Sequence, residues 1–187
     1  MKKLFFLTLT LFVMAAINAK AQESTFMNGD NVVGVGIGLV RTSYYGVYGW
    51  YGSNVKRTQT PLIFVSYERC IWDNVFNEKS SLGVGGVFGY AFTNYKDIKW
   101  KYHDFSVGLR GAFHYALVDN LDTYGTLGFG LAFSTFPKDH EYRPKSSVRA
   151  YPIFSAGARY YFTDFLAAFA EVGYNYAVFN MGISFKF

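Results

Sequence analysis

From residue 31 onward, apolar residues alternate with polar or small ones in runs of about ten positions. The first run, NVVGVGIGLVR at 31–41, sets Val33, Val35, Ile37 and Leu39 against Gly34, Gly36 and Gly38. The second, from about Pro61 to Ile71, sets Ile63, Val65 and Tyr67 against Phe64, Ser66 and Glu68. The third, about 81–93, sets Leu82, Val84, Phe88, Tyr90 and Phe92 against Ser81, Gly83, Gly85, Gly89 and Ala91. The fourth, about 102–116, sets Phe105, Val107, Leu109, Phe113 and Tyr115 against Asp104, Ser106, Gly108, Arg110 and His114. In the fifth, Leu127, Phe129, Leu131 and Phe133 oppose Thr126, Gly128, Gly130, Ala132 and Ser134. The sixth, about 149–162, sets Phe154, Ala156, Ala158, Tyr160 and Phe162 against Ser155, Gly157, Arg159 and Tyr161. The seventh, about 165–176, sets Val172, Tyr174 and Tyr176 against Glu171, Gly173 and Asn175. The last, NMGISFKF, places Phe179, Met181, Ile183, Phe185 and Phe187 on one face and Asn180, Gly182, Ser184 and Lys186 on the other.

A period of two predicts strands. Each predicted strand has a face of bulky apolar residues and a face of glycine, alanine, serine and isolated charges. A soluble barrel or sandwich places its bulky face inside. Here that face is too extensive for one small core, so it is expected to meet lipid. Only a closed sheet satisfies every strand hydrogen bond in a membrane. The pattern therefore predicts an all-β chain, an eight-stranded antiparallel transmembrane up-and-down β-barrel over residues 31–187, with small residues lining a narrow lumen.

The connections are expected at 42–59, 94–101 and 135–148, which are long, and at 117–122 and 163–164, which are short. The 72–80 connection is intermediate, and the last is only a few residues. Long and short connections alternate as in outer-membrane barrels, which puts long loops outside and both termini in the periplasm.

The opening MKKLFFLTLTLFVMAAINAKAQ has a basic n-region at Lys2 and Lys3, an apolar stretch from Leu4 to Ile17, and the small-x-small site Ala19-Lys20-Ala21. This order predicts a signal peptide over 1–21, cleaved after Ala21, and a short segment at 22–30 before the barrel. The signal carries three of the 18 basic residues and no acid, so the remainder has 15 basic and 13 acidic residues. So small a net charge gives no nucleic-acid footprint. Cys70 is the single cysteine, which excludes an intrachain disulfide. The rest of the chain has no run long and apolar enough for a transmembrane helix.

The ending carries a resemblance. Asn180, Gly182, Phe185 and Phe187 match the polar-x-Gly-x-x-aromatic-x-aromatic terminus of the small eight-stranded outer-membrane barrels of the outer-membrane protein A and X type. The resemblance covers roughly 30–187. It implies that these four residues are an assembly signal read by the barrel-assembly machinery, and that the surroundings are outer-membrane lipid and lipopolysaccharide.

The inward register holds Glu68, Arg110, Arg159, Glu171 and Lys186. Charges in a narrow lumen must be paired or hydrated. They are read as a plug that shuts the barrel. The alternative is a narrow ion or small-solute channel, and inward networks of this kind in related barrels keep that alternative open. A third reading, a lipid A-modifying enzyme, rests on His103, Asp104 and Ser106. Parity opposes it, since His103 points outward and the other two inward. His114 is placed near the periplasmic end and His140 in a loop. Three scattered histidines and one cysteine give no metal spacing, and GVGIG at 34–38 lacks the third glycine of a dinucleotide fingerprint, so no cofactor is expected. The aromatics Tyr44, Tyr45, Tyr48, Trp50 and Tyr51 make the first long loop a candidate surface for an external ligand, or part of the outer aromatic girdle. Lys138, Arg143 and Lys145 are candidates for contact with lipopolysaccharide, or simply solvated.

Overall fold

The computed structural model describes residues 25–41, 57–95, 100–135 and 147–187. The segment 1–21, the loop aromatics Tyr44, Tyr45, Tyr48, Trp50 and Tyr51, and Lys138, His140, Arg143 and Lys145 lie outside the described residues.

The strands are β1 (Asn31–Arg41), β2 (Arg57–Gln59), β3 (Leu62–Asp73), β4 (Ser80–Tyr95), β5 (Trp100–Val118), β6 (Leu121–Thr135), β7 (Ser147–Tyr161), β8 (Leu166–Tyr174) and β9 (Ala177–Lys186). All pairings are antiparallel. The sheet closes because β1 pairs with both β3 and β9, while β4 joins β5. Among the described residues, the short β2 pairs only with β4, and it continues β3 past a break at Thr60 and Pro61. The wall therefore consists of eight staves, an up-and-down barrel of the transmembrane class. The stretch 57–59, expected in a connection, belongs to this wall.

The register fixes the shape. Starting at Asn31, partners run through Arg69, Val84, Gly111, Leu127, Phe154 and Tyr174. Continuing the β8–β9 register past Val172↔Phe179 leads to Ala177, whose β1 partner is Arg41. The path returns ten residues above its start, a stagger that in eight strands requires a tilt of about 40°. A register row thus climbs from the end that holds Asn31 and Phe187, here the turn end, toward the opposite, loop end.

The bulky face points outward as expected, and Leu127 is 73% exposed. The small-residue lumen is corrected. Phe64, Tyr124, Tyr151, Ile153, Tyr161 and Phe169 all point inward and are buried. Tyr176, grouped with the outward residues, is also buried, because the chain bends at Asn175 and Tyr176 and breaks the parity. Glycines make room for these rings. A Cβ at Gly130 would lie 2.6 Å from the Tyr151 hydroxyl, and one at Gly157 2.7 Å from the Tyr124 ring.

The rim at the loop end is uneven. β6 pairs with β7 as far as Ser134↔Ser147, but β8 reaches only Phe154↔Tyr174. Among the described residues, β7 has no partner on its β8 side beyond that point. Pro152 lies in this stretch, where a proline is tolerated because one side of the strand lacks a neighbour.

Candidate functional site

The lumen is filled by two layers. The first lies toward the turn end and is charged. β3 supplies Glu68, β5 supplies Arg110 and His114, β6 supplies Asp122 and Tyr124, β7 supplies Arg159, and β8 supplies Glu171. Arg110 Nη1 donates to Glu171 Oε1 at 2.8 Å, and Tyr124 Oη donates to the same oxygen at 3.0 Å. Arg159 bridges Glu68 Oε2 and Asp122 Oδ2, each at 3.3 Å. Arg110 Nη2 stands 3.9 Å from Glu68 Oε2.

His114 ties the layer together. Its Nδ1 lies 2.9 Å from both oxygens of Asp122, and its Nε2 hydrogen-bonds Glu68 Oε1. Each ring nitrogen thus has a carboxyl group as its neighbour. Three acids share the layer with two arginines and one histidine. The space among Glu68, Arg110, Tyr124, Arg159 and Glu171 is narrow, and Arg110 Nε, Arg159 Nε and Glu171 Oε2 are buried in it without a hydrogen-bond partner among the described residues.

The second layer lies toward the loop end and is apolar: Leu62, Phe64, Val87, Tyr151, Ile153 and Tyr176 pack together, and Phe169 joins them from beside the charged layer. The Phe64 and Tyr176 rings are 4.8 Å apart.

The residues before β1 close the turn end. Phe26 is fully buried, with its ring 4.5 Å from that of His114 and 6.0 Å from the Arg159 guanidinium carbon. Backbone bonds hold this segment to the wall, Gly29 N to Cys70 O at 3.2 Å and Cys70 N to Asp30 O at 2.9 Å.

Of the five inward charges singled out from the sequence, Glu68, Arg110, Arg159 and Glu171 meet in one network. Lys186 stands apart. Its Nζ donates to Thr25 O at 2.9 Å and lies 3.7 Å from Asp30 Oδ2, so it pins the N-terminal segment. Sequence reasoning missed His114, Asp122 and Tyr124 in the network and Phe26 beneath it. His114 shares the inward parity of Arg110 and lies near the turn end, and parity alone does not show that it reaches Glu68 and Asp122. Asp122 was assigned to a connection at 117–122, but the turn is only Asp119–Asn120, with Asn120 in the left-handed region at φ 62°, and Asp122 is already in β6. Phe26 carries no periodic signal at all.

The enzyme candidates do not converge. His103 is outward and its Nδ1 is 2.8 Å from Tyr90 Oη, while the inward Asp104 accepts from Ser134 Oγ at 2.6 Å. Ser106 is buried on the inner face. Among the ending residues, Asn180 is buried and donates to Ala177 O at 3.1 Å. A Cβ on Gly182 would come within 2.6 Å of Gly36 Cα across the β1–β9 seam. Phe185 and Phe187 lie on the outer face.

No protein-family model matches the chain, and no curated protein matches it. Solved structures do. Ail, the attachment invasion locus protein of Yersinia pestis, in complex with the heparin analogue sucrose octasulfate, aligns over 86% of this chain and all of its own, at TM-score 0.58 and 13% identity. The N-terminal β-barrel domain of Pseudomonas aeruginosa OprF aligns over 86% of this chain and 98% of its own, at TM-score 0.51 and 16% identity. At these identities the likeness is one of architecture. The chain thus has the fold of the small eight-stranded outer-membrane β-barrels.

Proposed function

We propose that this protein is an integral outer-membrane barrel with a shut lumen, acting as a structural or surface-interaction component rather than as a channel. The observation that carries this reading is the pair of stacked lumen layers, one charged, the other aromatic. Water and ions need a continuous polar path, and a charged network packed against an aromatic layer argues against one. The apolar outer belt supports residence in a bilayer. The turn end then faces the periplasm and the loop end the exterior. The signal peptide at 1–21 and a terminal assembly signal at Asn180, Gly182, Phe185 and Phe187 fit the same route.

The interaction arm rests on the rim. The walls β4 to β7 rise past the β8–β9 turn, and this uneven rim gives a partner a raised side to meet. The long loops with Tyr44, Tyr45, Tyr48, Trp50 and Tyr51, and with Lys138, Arg143 and Lys145, would stand on the same side.

The test is single-channel recording on the refolded protein in a planar bilayer, with folding verified by heat-modifiable gel mobility. The folded barrel is expected to be silent. Reproducible discrete openings would overturn the shut-lumen reading in favour of the narrow channel.

A further inference from the structure

The outer surface carries a groove of about 940 Å³ on β3 to β6, floored in part by Gly86 and Gly111 and walled by Tyr67, Val84, Leu109 and Leu127. Arg69 stands at one edge of it. It pairs with Val84, diagonal to Gly86, and its other neighbour is Asn31 at the turn end. Because register rows climb away from the turn end, the groove rises from Arg69 into the apolar belt.

Two features of this groove call for an explanation. Many inward glycines are required by close contacts, as at Gly83, where a Cβ would lie 2.6 Å from Glu68 Oε1. At Gly111 a Cβ would meet only Gly83 O at 3.9 Å and Leu127 O at 4.0 Å. Packing within the barrel does not demand glycine there, and a side chain would occupy only the groove. Arg69 is the second feature. It is exposed on a face of Ile63, Val65, Tyr67 and Ile71, and it forms no ion pair or side-chain hydrogen bond among the described residues. A guanidinium at the edge of hydrocarbon needs an anion, and phosphate accepts from its fork in two parallel bonds.

The geometry points to a phospholipid site: the phosphate of one lipid of the periplasmic leaflet on Arg69, with an acyl chain laid in the groove over Gly86 and Gly111. Charge complementarity selects this occupant. A second copy of the barrel would bring another apolar face and no partner for Arg69. A lipopolysaccharide of the outer leaflet would hold its phosphates at the opposite end. The inference rests on the membrane reading of the outer belt proposed above.

Native mass spectrometry of the refolded full barrel, with palmitoyl-oleoyl phosphatidylglycerol added to the detergent, tests it. One retained lipid per barrel is expected. Arg69→Gln should reduce its affinity about tenfold or more, the loss of a charge-assisted bond. Gly111→Leu, which fills the groove from outside, should do the same, and Lys79→Gln should leave binding unchanged. Diacylglycerol, which lacks the phosphate, should not be retained. Equal retention by folded Arg69→Gln, equal retention of diacylglycerol, or dimers in place of lipid adducts would overturn the site while leaving the membrane reading intact. A chain that enters neither detergent micelles nor vesicles would overturn both.

Discussion

The ring of Phe26 lies 4.5 Å from the ring of His114, joining the N-terminal segment to the turn end of β5. The contact caps the charged layer from below with an apolar group. Arg159 lies against the other parts of this cap, over Tyr124 at 5.2 Å and near Phe26 at 6.0 Å.

Phe26→Ala should therefore let water into the turn end and remove buried ring contacts. The expected loss is about 3–5 kcal/mol, as for other buried phenylalanines. Urea unfolding of the barrel in lipid vesicles measures it. A loss under about 1 kcal/mol, the scale of a surface substitution, would mean that the segment is not docked.

Removing one partner of the Arg110–Glu171 pair should cost more than removing both. Glu171→Ala leaves a buried guanidinium short of a partner, at about 3–5 kcal/mol. The double replacement Arg110→Met/Glu171→Leu should recover much of that. The same vesicle unfolding assay decides, and a double variant less stable than either single one would refute the argument.

The two layers act in series, so neither alone should control conductance. Glu171→Ala should remain silent in a planar bilayer, and so should Tyr176→Ala. Only their combination is expected to give openings. Openings in Tyr176→Ala alone would show that the charged layer already passes ions.

The ending separates two roles. Gly182→Ala crowds Gly36 across the seam and should slow refolding of the purified chain into micelles. Phe187→Ala touches only the outer face and should refold normally, yet reach the outer membrane of cells in lower amount if the terminus is read during assembly. Equal cellular levels for wild type and Phe187→Ala would remove the assembly-signal reading.

Much of this architecture was legible because strands report their faces through parity alone. Ile63, Val65 and Tyr67, or Leu127, Phe129 and Leu131, announce an outer face without any knowledge of neighbours. The charged layer was half legible for the same reason: Glu68, Arg110, Arg159 and Glu171 share the inward parity. Parity says nothing about height, which the ten-residue stagger sets, so it could not show that Lys186 misses the network. It also fails at turns. One miscounted turn hid Asp122, and one bend hid Tyr176. The inward rings of Phe64 and Tyr161 share the parity of many glycines, which leave the space that the rings fill.

The uneven rim gives the molecule a front and a back. A neighbour drifting in the plane of the membrane meets a high parapet on the β4–β7 side and a low sill at the β8–β9 turn. In the proposed membrane setting, encounters with other surface molecules would therefore be directional, set by the height of the rim. Crowding would sort such encounters by compass bearing, before any side-chain chemistry is consulted.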